Sequence, residues 1–348
     1  MSCRAPGRHP KLTDMQATRP TMRDVAARAG VGLGTVSRVV NKNSRVRPET
    51  RARVEQAIAE TGFHRNELAR MLRPGQITAT IGLVIDDLAN PFSSAVASGA
   101  GRVAAQRDHV LLIGSTERDV ETERDLIREF VRRQVDGLLI ISSDPEPVDR
   151  TITIGTLPVV YVDRAPVANR YDRVMLDNHT GVKSALNRLV EAGHRRIAYI
   201  GGSPTAITGA TRLRSYRQVL QGHKIPVDPE LVSMHNYTAD DARESVIGLL
   251  GSRHPPTAIF SDNNRMTFGA IQALTSLDSD TALAGFDDIE LADLLPFEID
   301  LVVYSPADLG TKGAEQLFRR IDGETGPART IRVPTRLDRR GRRFHNGS

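Results

Sequence analysis

The sequence predicts an all-α helix-turn-helix headpiece followed by an α/β body of two similar Rossmann-like lobes. Apolar residues recur at helical spacing through residues 21–65, and short apolar runs alternate with helical stretches through residues 77–337. Charge is also divided along the chain: residues 1–75 carry +9, residues 76–334 carry −8 and residues 335–348 carry +4. A basic head on an acidic body predicts that nucleic acid binds the head alone.

The headpiece pattern predicts three short helices. Thr21 can cap the first helix, and Gly30 suits the sharp turn after it because glycine adopts a left-handed backbone at little cost. A second helix is predicted from residue 33 to about residue 40 and a third over residues 49–61. Two helices joined by such a turn are typical of a helix-turn-helix, whose second helix enters the major groove of DNA.

Length and cysteine content limit the class of protein. The chain has 348 residues, no Trp and one Cys, which is Cys3. That length suits two or three domains, and a single cysteine excludes a disulfide framework and favours a reducing, cytoplasmic location. No apolar run reaches membrane-spanning length. Residues 1–20 lack the apolar core of a signal peptide, so we interpret them as a disordered basic tail, with a non-specific phosphate contact as the alternative.

Short apolar runs rich in β-branched residues predict strands in the body. They cover residues 81–85, 110–113, 137–141, 158–162, 197–200, 231–235, 258–260 and 282–284. Helical stretches lie between them at residues 93–107, 120–133, 181–192, 211–221, 239–251 and 266–277. This alternation predicts parallel sheets covered on both faces, arranged as two lobes with a cleft beyond the carboxyl ends of the strands.

Polar and aromatic side chains are frequent where the predicted strands end. The candidates for a ligand site in the cleft are Asp86, Phe92, Asp163, Arg212, Tyr237, Asn263 and Asp287. Carboxylates, an amide, a guanidinium and aromatic faces suit a polyhydroxylated ligand, because each hydroxyl both donates and accepts hydrogen bonds. A turn or helix-capping role is the alternative for each of them.

Several runs of residues stand in register with one known family. In the headpiece they are Asp24-Val25-Ala26, Ala29-Gly30-Val31, Thr35 to Asn41, Thr50-Arg51 and Asn66 with Leu68-Ala69-Arg70. In the body they are Asn90-Pro91-Phe92, Val135 to Leu138, Val162-Asp163-Arg164, Asp177-Asn178, Gly193 to Ile197, Ile200-Gly201-Gly202, Gly285 to Asp288 and Val333 to Leu337. With these runs the chain resembles the LacI family of bacterial transcription regulators.

The resemblance implies a domain organisation. It places a hinge helix and linker at residues 66–76 and an effector-binding and dimerisation domain, similar to periplasmic sugar-binding proteins, at residues 77–337. Val333 to Leu337 match the family's closing strand, and residues 338–348 are expected to form a second disordered basic tail. A homodimer is expected, and a tetramer stays open.

Ten residues are candidate DNA contacts. They are Leu33, Gly34, Thr35, Ser37, Arg38, Asn41, Asn66, Ala69, Arg70 and Leu72. Arg38 leads for base recognition because a guanidinium can donate two hydrogen bonds to guanine O6 and N7, and a phosphate contact is the alternative. By resemblance, Leu33 and Gly34 help to set operator choice, and Leu72 is the hinge leucine that wedges into the minor groove.

We expect the protein to be a cytoplasmic DNA-binding transcription regulator, and a repressor is the leading interpretation. A small effector, a sugar or sugar derivative, would bind between the lobes and control operator affinity; by resemblance Arg212 and Asp287 are its most dependable contacts. No phosphate-binding loop, nucleophile elbow or metal-ligand spacing is present in the sequence, so we expect neither an enzyme nor a metal or other cofactor. A sugar receptor used for transport and a DNA-organising protein without a ligand are the alternatives, and the sign of the effector response stays open.

Overall fold

The computed structural model describes residues 20–40, 46–63, 78–144, 146–166, 170–203 and 207–341. The chain divides into two compact units, Met1–Gln76 and Ile77–Ser348. Each unit is described by itself.

The first unit contains the predicted helices. They are α1 (Met22–Ala29), α2 (Leu33–Val40) and α3 (Pro48–Thr61). The Asp24 carboxylate accepts hydrogen bonds from the backbone N–H of Thr21 at 2.7 Å and from its hydroxyl at 2.8 Å, which fixes the start of α1. Gly30 ends that helix with a φ of 64°, in the left-handed region. Fully buried valines, one from each helix, form the centre of a small core.

The second unit alternates strands and helices, as predicted. Its strands are β1 (Thr80–Ile85), β2 (Val110–Ser115), β3 (Gly137–Ile140), β4 (Val159–Val162), β5 (Asp172–Leu176), β6 (Ile197–Ile200), β7 (Val232–Ser233), β8 (Ala258–Ser261), β9 (Ala282–Phe286), β10 (Ile299–Val303), β11 (Thr330–Val333) and β12 (Arg336–Arg340). Its helices are α4 (Pro91–Gln106), α5 (Val120–Arg132), α6 (Val148–Thr151), α7 (Asn178–Glu191), α8 (Ile207–Gly222), α9 (Ala239–Leu250), α10 (Asn264–Ser276) and α11 (Pro306–Ile321).

These strands form two six-stranded sheets, one in each lobe. The order in lobe 1 is β11-β5-β4-β3-β1-β2, and the order in lobe 2 is β12-β10-β9-β8-β6-β7. Neighbouring strands are parallel except for β12, which runs antiparallel to β10. Strands β3, β4, β6, β8 and β10 are buried along their whole length, as expected for sheets with helices on both faces.

The chain passes between the lobes through short segments, at residue 177, residues 304–305 and residues 334–335. The strands that flank these crossovers are β5 and β11 in lobe 1 and β10 and β12 in lobe 2. β11 and β12 form one edge of their sheets with β5 and β10 next to them, whereas β2 and β7 form the opposite edges. The covalent connections are therefore concentrated along one side of the cleft.

The C-terminal boundary predicted from sequence is wrong. Residues 338–340 belong to β12, which pairs with β10, and the Arg339 Nε donates to Asp300 Oδ1 at 3.0 Å. The predicted closing strand, residues 333–337, is the end of β11, a crossover and the start of β12. The remaining residues of the two predicted tails, residues 1–19 and 342–348, lie outside the described residues, as do residues 64–77.

Candidate functional site

Helix α2 presents the described candidates for DNA contact on its outer face. Leu33, Gly34 and Arg38 are exposed, while Thr35 and Ser37 are half-buried. A Cβ atom added at Gly34 would meet no atom within 4 Å, so this part of the helix surface is open. The other candidates, Asn41, Asn66, Ala69, Arg70 and Leu72, lie outside the described residues.

The carboxyl ends of strands from both lobes border a cavity of about 610 Å³. The structure brings all of the predicted effector residues to its wall: Asp86, Phe92, Asp163, Arg212, Tyr237, Asn263 and Asp287. They converge because loops at the carboxyl ends of parallel strands gather along one side of a sheet.

Asp86 anchors the lobe 1 wall just after β1. Its Oδ2 accepts a hydrogen bond from Arg164 Nη2 at 2.6 Å, and its Oδ1 accepts one from the Ser93 hydroxyl at 2.9 Å. Burial acts to raise the pKa of Asp86, but the Arg164 charge and these hydrogen bonds outweigh it and hold the pKa below its usual value. Asp86 is therefore an ionised, fixed part of the wall.

Asp163 follows β4 and differs from Asp86 in its hydrogen bonding. Its backbone has a φ of 61°, and the residue is only 5% exposed. Within the described part of the chain, its buried Oδ1 has no hydrogen-bond partner. Burial raises the pKa of Asp163. A buried carboxyl oxygen without a partner is uncommon in folded proteins and distinguishes Asp163 from the other carboxylates of the wall.

Arg212 projects from α8 and is buried at the lobe 2 wall. Its Nε donates to Asn178 Oδ1 at 2.8 Å, and its Nη1 donates to the Asp262 carbonyl. The guanidinium carbon lies 3.7 Å from the centre of the Phe286 ring, which places the cation over an aromatic face. These contacts hold the guanidinium in one orientation beside the cavity.

Asp287 follows β9 with a φ of 76° and is held from two sides. Its Oδ1 accepts from the Tyr304 hydroxyl at 2.7 Å and lies 3.9 Å from Arg212 Nη2. Its Oδ2 accepts from the backbone N–H of Asn264 at 3.2 Å. Non-glycine residues with positive φ are uncommon and cluster at functional sites, and Asp163 and Asp287 are two of them on one cavity wall.

The remaining predicted residues have mixed roles. Asn263 Oδ1 caps α10 by accepting from the backbone N–H groups of Arg265 and Met266, so the capping alternative holds for this oxygen although the residue lines the cavity. Phe92 is buried with its ring edge-on to Tyr304. Tyr237 is about half exposed.

Sequence reasoning missed other residues of the wall. They include Arg118, Arg164, Asp262, Arg265 and Tyr304. Asp262 comes directly after β8, so the rule that selected Asp163 would also have found it, whereas Tyr304 follows β10, which is not among the strands predicted from sequence. Arg118 and Arg265 come from a loop and a helix start, and no local pattern distinguishes them from solvated surface cations.

The described ranges of the chain lack two kinds of feature. They contain no group of three or more His, Cys, Asp or Glu side chains placed to hold a metal ion. None of their helices combines the length and apolarity needed to cross a bilayer.

Both units of the chain match known domain families. Residues 21–66 match the model of bacterial regulatory proteins of the lacI family, and residues 186–341 match a periplasmic binding protein-like domain. The first match covers the helix-turn-helix, and the second covers most of lobe 2.

Curated relatives align over nearly the full chain. The HTH-type transcriptional regulator CelR of Thermobifida fusca is 33% identical over 320 residues, covering 88% of this chain and 93% of the relative. The ribose operon repressor of Escherichia coli K12 is 32% identical over 332 residues, covering 92% of this chain and 99% of the relative.

Solved structures with a similar fold also cover nearly the whole chain. The Lac repressor dimer bound to operator and the anti-inducer ONPF superposes with a TM-score of 0.82 at 24% identity, over 92% of this chain and 98% of that one, which supports the fold. The CelR–cellobiose complex superposes with a TM-score of 0.68 at 31% identity, with the same coverage. With relatives above 30% identity over almost their whole length, the chain belongs to the LacI family of bacterial DNA-binding transcription regulators.

Proposed function

We propose that this protein is a cytoplasmic, homodimeric repressor whose operator affinity is controlled by a neutral sugar or sugar derivative bound between its lobes. The observation that carries the proposal is the cavity of about 610 Å³ on which all the predicted polar residues of the effector site converge. Its volume lies in the range of small-molecule sites. Asp163, whose carboxyl group lies in that wall, is a candidate hydrogen-bond partner for a ligand hydroxyl.

The charges of the wall favour a ligand without negative charge. Seven carboxylates line the cavity, Asp86, Asp87, Glu117, Asp144, Asp163, Asp262 and Asp287, against four arginines, Arg118, Arg164, Arg212 and Arg265. Each of these arginines lies within 4.0 Å of a carboxylate oxygen. A phosphate or acid group would meet an excess of like charge, whereas hydroxyls can both donate to carboxylates and accept from amides.

The relatives favour a carbohydrate. One solved relative holds cellobiose, and another relative is named for a ribose operon. Because both are more than 30% identical to this chain, a sugar is the first class of effector to test.

The headpiece supplies the DNA contacts in this proposal. Leu33 and Arg38 are exposed on α2, and the first 75 residues carry a net charge of +9. Two copies would read two halves of a palindromic operator. Large exposed apolar side chains, Val110 and Ile113 on β2 and Leu291 in lobe 2, are candidates for the contact between copies.

The test is a selection of genomic DNA fragments by the purified full-length protein at near-physiological salt. Recovery of a short palindromic site supports the regulator, and the genes beside that site identify sugars to titrate. We expect the neutral sugar to change operator affinity and its phosphate ester to have no effect. Fragments without a shared site would overturn sequence-specific regulation, and a response to the phosphate ester alone would overturn the neutral ligand.

A further inference from the structure

Direct contacts bridge the two lobes on the side of the cleft that faces away from the crossovers. The crossovers follow β5, β11 and β10, which lie at or next to one edge of their sheets. The bridges involve loops that follow β1 and β2 in lobe 1 and β7 and β8 in lobe 2, toward the opposite edges. Motion about the crossovers would open the cleft at the bridged side first.

The first bridge joins the loop after β1 to the start of α10. Arg265 Nη2 of lobe 2 donates a charge-assisted hydrogen bond to Asp87 Oδ2 of lobe 1. Beside it, Asn264 Nδ2 donates to Asn90 Oδ1 at 2.9 Å. The Asp87 side chain is 10% exposed and that of Arg265 is 29% exposed, so the pair is partly shielded from water.

The second bridge joins the loop after β2 to the segment before α9. Arg118 Nη1 donates to the Tyr237 carbonyl at 3.2 Å, and Arg118 Nε lies 3.7 Å from Asp86 Oδ2. Glu117 and Arg118 have φ values of 49° and 65°. Two consecutive non-glycine residues in the left-handed region mark a loop whose conformation is fixed by its surroundings.

We propose that these bridges form a latch that keeps the lobes together before any effector binds. Its strength sets the fraction of effector-free protein with a closed cleft. The regulatory meaning rests on the proposed function: a ligand enters between the lobes, so its apparent affinity depends on the population of the competent state. The closure itself can be measured without a ligand.

Single substitutions can remove the charged bridge without removing local caps. Asp87→Asn keeps an oxygen for the backbone N–H of Ala89, which Asp87 Oδ1 accepts at 2.8 Å. Arg265→Met keeps the length of the side chain, and the backbone N–H of Arg265 still donates to Asn263. Arg150→Met is the control, because Arg150 pairs with Glu146 at 3.0 Å within lobe 1.

The measurement is single-molecule energy transfer on the full-length protein without ligand. Dyes are attached to cysteines introduced at the exposed Glu121 of lobe 1 and Asp240 of lobe 2, in a Cys3→Ser background. Labelled chains are diluted with unlabelled chains, so that an assembly carries one dye pair. Thermal unfolding checks that every variant is folded.

Either single substitution should raise the ratio of open to closed molecules about tenfold, as expected for loss of a hydrogen bond between charged groups. The double variant should open no further than the single ones, because both remove the same interaction. The control should match the wild type. An unchanged ratio in Arg265→Met, or fully additive effects in the double variant, would overturn the latch. If no sugar binds, the proposed effector class is wrong, but the measured effect of these substitutions on lobe closure still supports the latch.

Discussion

Arg38 has a long polar side chain on the exposed face of α2, where its exposed neighbours offer few groups that could recognise a base. Leu33 beside it is apolar, and Gly34 has no side chain at all. Arg38 is exposed on the outer face of α2, and a guanidinium matches guanine O6 and N7 in the major groove. We therefore expect sequence discrimination by α2 to depend strongly on this one residue.

Arg38→Ala should lower affinity for the selected operator about tenfold or more and affinity for random DNA by about twofold, since base contacts are specific and phosphate contacts are not. Fluorescence anisotropy at one fixed salt concentration measures both. Arg53→Ala, in the exposed face of α3, is the control and should reduce both affinities equally. If Arg38→Ala lowers the affinities for operator and for random DNA equally, Arg38 contacts a phosphate and not a base.

Asp172 is a buried carboxylate held by several donors. It accepts from Gln316 Nε2 at 2.8 Å, from Arg320 Nε at 2.7 Å and from the backbone N–H of Arg329 at 2.6 Å. Burial alone would raise the pKa of Asp172, but these hydrogen bonds and the Arg320 charge outweigh it and lower the pKa below 3.8. The group therefore stabilises the fold above pH 3.8, and this stability is lost as pH falls through the lower folded-state pKa.

Asp172→Asn should reduce the free energy of unfolding at pH 7 by about 3 kcal/mol, because it leaves the Arg320 charge without its partner. The difference from wild type should shrink as pH falls below about 4, where the unfolded-state carboxylate becomes protonated, and vanish as pH falls through the lower folded-state pKa. Urea unfolding followed by circular dichroism at both pH values measures this. A difference that stays constant between pH 7 and pH 3 would contradict the assigned ionisation.

The sequence predicted residues of the cavity wall best where a residue directly follows a strand. Asp86 and Asp163 in lobe 1 and Asp287 in lobe 2 each lie there, and parallel topology places each of them at the carboxyl end of its own sheet, which faces the cavity. Arg118 and Arg265 reach the same wall only because the lobes close on each other. Their position depends on the angle between the lobes, which no local pattern encodes.

At the scale of elements, α4 and α11 pack backbone to backbone in lobe 1. A Cβ atom at Gly99 would lie 2.0 Å from the Ala307 carbonyl oxygen, and one at Gly310 would lie 2.0 Å from the Val96 carbonyl oxygen. Backbone atoms in a helix cannot move aside as a flexible side chain can. The two glycines therefore set the distance between these helices.

Gly310→Ala should lower the free energy of unfolding by about 2 kcal/mol or more, because the added methyl group overpacks the helix contact. Gly248→Ala is the matched control in the exposed part of α9, where a Cβ meets no atom within 4 Å. That substitution should instead stabilise the protein by up to about 1 kcal/mol, since alanine favours a helix more than glycine does. Urea unfolding of both variants compares them, and equal effects would contradict the close contact.

The strand that sequence analysis missed at the C-terminus has a physical explanation. The sequence of β12, Arg-Leu-Asp-Arg-Arg, has no apolar run because β12 is an edge strand whose outer side faces solvent. Charged side chains are common on edge strands. Its pairing is fixed by β10 and by contacts such as Arg339 with Asp300, which lie 39 residues apart in the chain.

At the scale of the whole molecule, Arg212 connects the cavity to a crossover. Its Nε donates to Asn178 at 2.8 Å, and Asn178 is the first residue of α7, directly after the crossover at Asp177. The Asp177 carbonyl also accepts from the Thr335 hydroxyl of another crossover at 3.3 Å. A ligand that engaged Arg212 would therefore act on the segments that connect the two lobes.

Arg212→Met should leave operator affinity without effector within about twofold of wild type and remove its dependence on the effector, because the coupling free energy requires a contact that differs between the two states. The measurement is operator binding with and without the sugar identified from the genes beside the operator. Arg196→Met is the control, since Arg196 pairs with Asp228 at 3.2 Å in the same lobe and does not line the cavity. A full effector response in Arg212→Met would place the coupling elsewhere, whereas loss of operator binding without effector would make Arg212 a structural residue.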